Sequence, residues 1–136
     1  MSQENVEIVR RSFDVWNSVW NSGDIERILP LYTADVVFHS ATKDLVGKTY
    51  RGKHAWRRFL EELDDEMSSW EWRIEELIDA GDRVVTFHSV TATGPASGIE
   101  VTRPLAGVFE IRDGLIASVW IFLDRAKALE AAGLSE

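Results

Sequence analysis

The sequence predicts an α+β fold: a cone-shaped, curved antiparallel sheet covered on its concave face by three helices from the first half of the chain. Three observations predict it. First, Val6, Val9, Phe13, Trp16 and Trp20 step by three, four, three and four residues, which places them on one face of a helix. Second, Trp70, Trp72 and Ile74 alternate with Glu71, Arg73 and Glu75, the period-two pattern of a strand with one wet face. Third, the runs after Ala80-Gly81-Asp82 are rich in Val, Thr and Phe and are separated only by short turns, so they are antiparallel neighbours. Helices first and strands afterwards make an α+β layout.

The elements follow in order. The first helix is expected from Ser2 to Asn21, stopped by Gly23, a residue suited to the left-handed end of a helix. Asp24 can cap a second helix with Ile25, Ile28, Leu29 and Tyr32 on its buried side. Val36, Val37 and Phe38 form a short strand run. Lys43 to Lys53 reads as a loop with at most a short strand. A third helix from Lys53 to Met67 turns Trp56, Phe59, Leu60 and Leu63 inward. Strands are expected at Trp70–Glu75, Arg83–Thr93, Ile99–Ile111 and Leu115–Leu123, and a tail helix at Arg125–Ala132.

Bulk properties narrow the function classes. At 136 residues the chain reads as a single domain, 1–136. It has no cysteine, so disulfides, thiolate zinc sites and cysteine nucleophiles are excluded. The start, Met1 to Asn5, lacks a basic patch followed by an apolar run, and no secretion signal is read there. No apolar stretch approaches the ~20 residues that span a bilayer. These features fit a cytoplasmic protein with no membrane partner. The net charge of -8 repels phosphate backbones and argues against nucleic acid as a partner. Six tryptophans can either fill a core or wall a cavity.

Few residues can carry chemistry. His39 ends an apolar strand at the lip of the cone, either as an acid or base near neutrality or as a strand-end residue bonded to backbone or solvent, and strand alternation turns it outward if Phe38 points in, unless a bulge intervenes. His88 shares a strand face with Thr86 and Val90. If that face is the concave one, His88 is the best proton carrier, since an unperturbed histidine titrates at ~6.5. Glu110 alternates with Val108 and Ala106. It is either a carboxylic acid with a raised pKa beside tryptophan or a solvated strand-end residue. His54 opens the third helix and reads as a surface residue; Asp124 reads as the cap of the tail helix. The three histidines show no metal-ligand spacing, so neither a metal nor another cofactor is expected. The expected pocket wall is Trp16, Trp20, Tyr32, Phe38, Trp56, Phe59, Val108 and Trp120.

The chain resembles the nuclear transport factor 2-like superfamily, and within it the SnoaL-like branch of polyketide cyclases and steroid isomerase relatives. The residues that carry the likeness are Trp20-Asn21-Ser22-Gly23-Asp24, Leu31 to His39, Tyr50-Arg51-Gly52 and Arg112-Asp113-Gly114-Leu115-Ile116. The resemblance implies a cystatin-like α+β barrel, a pocket between the helices and the concave sheet, and a homodimer formed through the sheet. It does not bring the family's catalytic sets with it. The three steroid isomerase roles fall on Trp16, Ser40 and Ala106, none of which can replace a phenol or an aspartate. The aspartate–arginine–aspartate set of the epoxide hydrolases finds only Trp120, Ile121 and Phe122 as inward candidates on the last strand. The dehydratase pattern of two histidines is matched in part by His39 and His88, but its tyrosine–aspartate pair falls on Trp16-Asn17.

Two function classes stay open. One is a small enzyme that isomerises, dehydrates or cyclises an apolar, ring-containing metabolite. The other is a non-catalytic ligand-binding or dimeric interaction domain. The sequence does not decide between them.

Overall fold

The computed structural model describes residues 2–19, 25–40, 49–66 and 69–134. Its backbone is a curved, unclosed six-stranded sheet with helices packed on it. Helix α1 (Ser2–Ser18) leads into two single 3-10 turns, Ile25–Arg27 and Leu29–Leu31. Strands β1 (Tyr32–Ser40) and β2 (Thr49–Arg51) follow, then helix α2 (Gly52–Glu66). The long strands are β3 (Ser69–Ala80), β4 (Arg83–Thr93), β5 (Glu100–Arg112) and β6 (Leu115–Phe122), and helix α3 (Arg125–Ala131) comes last.

Two of the expected helices differ from the sequence expectation, and β1 and β3 run longer than expected. The segment expected as the second helix forms only the two 3-10 turns. Pro30 sits inside it, and a proline in a helix interior removes a hydrogen bond and clashes with the preceding turn. Tyr32 therefore starts a strand instead of ending a helix, although Ile28 and Tyr32 are both buried as expected. Helix α1 also ends at Ser18, before Asn21. Trp20 and the Gly23 stop lie outside the described residues.

The strand order is β2-β1-β6-β5-β4-β3. Strands β3 to β6 are joined in antiparallel sequence, as their short connections require. The two-residue β5–β6 turn has positive φ at both Asp113 (54°) and Gly114 (79°), the combination a type I′ hairpin needs. Strand β1 lies parallel to β6, so the sheet is mixed and not wholly antiparallel as the sequence led us to expect. A parallel neighbour requires a long crossover, and here β2, α2 and three strands intervene.

The sheet has two different faces. On one, α1 and α2 cover Val36 and Phe38 of β1, Val84 of β4, Phe109 and Ile111 of β5, and Val119 of β6. On the other, α3 covers Val85 and Phe87 of β4 with Ala106 and Val108 of β5. A bulge between Ile74 and Glu76 of β3 puts Ile74 and Leu77 on the first face and Ile78 on the second. Helix α1 is also tied to the sheet by polar contacts. The Asn5 amide donates to the Gly81 carbonyl at 3.0 Å. Asn17 donates to the Trp72 carbonyl at 2.7 Å and accepts from the Trp72 N–H at 2.8 Å.

Candidate functional site

Among the described residues, the face under α1 and α2 holds one buried histidine. His88 is mid-strand in β4 and only 2 % exposed. It lies opposite Ile74 of β3 and Leu105 of β5. Phe13 of α1 meets its ring edge-on, with centroids 5.2 Å apart. Thr86, two residues back on the same face, brings its Oγ1 to 2.9 Å from His88 Nδ1. Burial disfavours the imidazolium and lowers the His88 pKa to about 4. At neutral pH the ring is therefore uncharged, with one nitrogen a donor and the other an acceptor. If the Thr86 hydroxyl donates to Nδ1, the proton sits on Nε2; if it accepts, Nε2 is the free base.

A glycine makes room for that pair. Gly107 of β5 lies opposite Thr86. A Cβ at this position would stand 2.8 Å from Thr86 Oγ1 and 3.0 Å from Phe109 Cε1. Any larger residue would push the hydroxyl away from His88.

The rest of the covered face is aromatic. Trp56 of α2 is at its centre, 2 % exposed. Its ring centroid lies 4.8 Å from Phe38, 5.3 Å from Tyr32, 5.5 Å from Phe59 and 5.7 Å from Trp16. Trp16 in turn meets Trp72 edge-on at 5.1 Å, and Tyr50 packs on Phe59 at 4.8 Å. The spacing of Trp56 and Phe59 on one side of α2 produces the row. Burial pushes the Tyr32 phenol well above its ordinary range, so it stays a neutral hydroxyl. The Trp56 Nε1–H is buried with no hydrogen-bond partner among the described residues. Such a sealed donor costs about 1–3 kcal/mol.

The sequence-predicted site residues divide between the two faces. Trp16, Tyr32, Phe38, Trp56, Phe59 and His88 are brought to the covered face. Trp20 lies outside the described residues. Val108 and Trp120 belong to the opposite cluster under α3, which corrects their assignment to the pocket wall. His39 and Glu110 are on that opposite side too. His39 stacks flat on Trp120, its register neighbour, at 5.0 Å and 4°. Burial and the nearby Arg51 lower its pKa. Glu110 faces Arg83 at 4.0 Å, and the Arg83 guanidinium lies 5.3 Å from the Trp120 ring. The physical reason is strict alternation: with Phe38 and Phe109 turned inward, their neighbours His39 and Glu110 must turn outward. The two strand histidines thus never meet.

The missing catalytic sets are absent for structural reasons as well. Ala106 packs under α3 with Val85 and Phe87, and the inward position beside it is Gly107. Of Trp120, Ile121 and Phe122, only Ile121 packs on the side under α1 and α2. Asn17 is occupied by the Trp72 backbone. Asp124 caps α3, accepting from the Ala126 N–H at 2.8 Å. Among the described residues no three His, Asp or Glu side chains are grouped to hold a metal. Sequence reasoning placed Thr86 on the His88 face but did not foresee their hydrogen bond, and it missed Phe13 and Gly107 as neighbours of the pair. The Thr86-x-His88 spacing was the available signal, since side chains two apart on a strand share a face.

The chain belongs to the SnoaL-like domain family, whose pattern matches residues 9–119. Solved structures share its fold. It is similar to TerC, crystallised with polyporic acid (TM-score 0.74, 23 % identity, 96 % of this chain and 98 % of that one). It is similar to SalBIII, an epoxide hydrolase/cyclase-like enzyme in pyran ring formation in the polyether salinomycin (TM-score 0.73, 22 % identity, 90 % and 93 %). It also resembles a hypothetical protein with a ketosteroid isomerase-like fold from Catenulispora acidiphila, in complex with trimethylamine (TM-score 0.71, 20 % identity, 94 % and 93 %). A search of curated proteins gives no match. No helix among the described residues is long and apolar enough to cross a membrane.

Proposed function

We propose that the space between α1, α2 and the sheet takes an apolar, ring-containing small molecule, and that His88 carries a proton to or from it. The observation that carries this reading is a neutral imidazole, the only buried histidine among the described residues, set with Thr86 on a largely apolar, aromatic face. Aromatic walls suit flat ligands. One neutral donor–acceptor group suits isomerisation, dehydration or cyclisation, reactions that need proton transfer and no redox partner. The low pKa of His88 makes it a weak base in the unliganded chain. A developing negative charge beside it raises its basicity. The small-molecule associations of TerC and SalBIII support a ligand in this fold and leave the reaction open.

The test is tryptophan fluorescence against a panel of steroids, polyketide-like aromatics and terpenoids. A binder quenches or shifts the emission of the Trp16–Trp56–Trp72 row. Silence across all three classes overturns the reading. With a binder in hand, His88→Gln is expected to lower turnover by ~10²–10⁴, the usual worth of a positioned acid or base. Unchanged turnover removes His88 from the chemistry.

A second reading is a binding domain without catalysis. It is favoured by the packing of Trp16, Phe38, Trp56 and Phe59 on one another, which fills much of the covered face with the protein's own rings. Binding without turnover, in wild type and His88→Gln alike, is its signature. A homodimer formed through the sheet's open face is compatible with either reading, and sedimentation tests it.

A further inference from the structure

We infer that Trp56 selects the ligand by donating a hydrogen bond to a neutral acceptor oxygen, a carbonyl or ether, on a flat apolar ring system. This rests on the small-molecule reading above and narrows its substrate class.

Trp56 is 2 % exposed, and its Nε1–H has no acceptor among the described residues. Buried polar groups are nearly always paired, and those that are not call for an explanation. Here the ring could be replaced by phenylalanine if only apolar area were needed, since Phe38 and Phe59 already serve that purpose beside it. An indole N–H is a donor only and does not titrate. It recognises an acceptor and gains nothing from an ammonium, which has no lone pair to offer.

The neighbours define the remaining chemistry. The rings that pack on Trp56 are Trp16, Tyr32, Phe38 and Phe59. All are neutral, and burial keeps Tyr32 protonated. A carboxylate brought among them would lack a counter-charge, a costly arrangement. The oxygen must therefore be uncharged. Trp16 is half-buried and contacts Trp56 from α1. It is the least buried of the four rings packed on Trp56, so the movement that admits a ligand to the indole N–H is assigned to it.

The experiment compares 9-fluorenone with fluorene, two flat tricycles that differ by one carbonyl oxygen. Wild-type protein is expected to bind fluorenone about tenfold more tightly, and the preference is expected to be constant from pH 6 to pH 9 because indole does not titrate. In Trp56→Phe, fluorenone affinity should fall to that of fluorene, with fluorene itself little changed. If that variant does not fold, nitrogen-edited NMR of the wild type decides. The Trp56 indole N–H resonance should move downfield and exchange more slowly with fluorenone, and not with fluorene. Equal affinities in wild type, or a fluorenone preference that survives in Trp56→Phe, overturn the inference while leaving the pocket intact. Failure of both molecules to bind overturns the pocket reading itself, and this inference with it.

Discussion

The side-chain amide of Asn17 pairs with the backbone of Trp72 as a neighbouring strand would, donating to its carbonyl at 2.7 Å and accepting from its N–H at 2.8 Å. Strand β3 is the edge of the sheet, and an edge strand's backbone groups are open to unwanted pairing. Asn17 closes the edge at one residue and fixes the end of α1 against it. Asn17→Ala should lower stability by about 1–3 kcal/mol, because two hydrogen bonds are lost and no replacement is at hand. Asn17→Asp keeps the acceptor but sets a carboxylate oxygen against the Trp72 carbonyl, and should be at least as damaging. Urea titration of the three proteins checks this; a loss under about 0.5 kcal/mol, the range of ordinary surface changes, would show that packing alone holds the helix.

His88 makes stability depend on pH. Its folded pKa is about 4, below the unfolded value of ~6.5. Between those values the unfolded chain binds the extra proton, so folding weakens as pH falls from about 6.5 toward 4 and is unaffected by this group above pH 7. The full contribution is about 3 kcal/mol. Denaturation midpoints measured from pH 7.5 to pH 4.5 should fall more steeply in wild type than in His88→Gln. Parallel curves would mean that another group governs the slope.

Gly107→Ala tests the support of that histidine from the neighbouring strand. The new methyl would press on Thr86 Oγ1 and Phe109. Overpacking of this kind costs about 1–3 kcal/mol, and the displaced hydroxyl loses His88 Nδ1. Two readouts should move together: the thermal midpoint falls, and the His88 ring nitrogen shifts in NMR change. A lower midpoint with unaltered nitrogen shifts would separate Gly107 from the histidine.

Asp124→Ala serves as the contrast on the other side of the sheet. It removes the cap of α3 and should cost about 0.5–2 kcal/mol. Since α3 packs on the face opposite His88, ligand-induced quenching in the Trp16–Trp56–Trp72 row should be unchanged once the protein is folded. Altered quenching would reveal coupling through the sheet.

Most of the architecture was legible because it follows local rules. The apolar stripe from Val6 to Trp16 required a helix with a buried side, and Arg112-Asp113-Gly114 required a tight hairpin. The 3-10 turns around Pro30 show where a local rule was overlooked, since proline already argued against a continuous helix.

The site was legible only in part. Alternation says that Thr86 and His88 share a face and that Phe38 and His39 do not. It cannot say which face the helices cover. That depends on how α1 and α2 dock, on the bulges in β3 and β5, and on β6 accepting β1 as a parallel neighbour. These long-range choices sent His39, Glu110, Val108 and Trp120 to one side and kept His88 on the other. The sequence by itself determined the elements, their order and their amphipathic sides, because those arise from neighbours along the chain. Only the tertiary structure decided which imidazole would be dry and which indole would have no acceptor among the described residues, because burial and hydrogen bonding are set by residues far apart in sequence and brought together by packing.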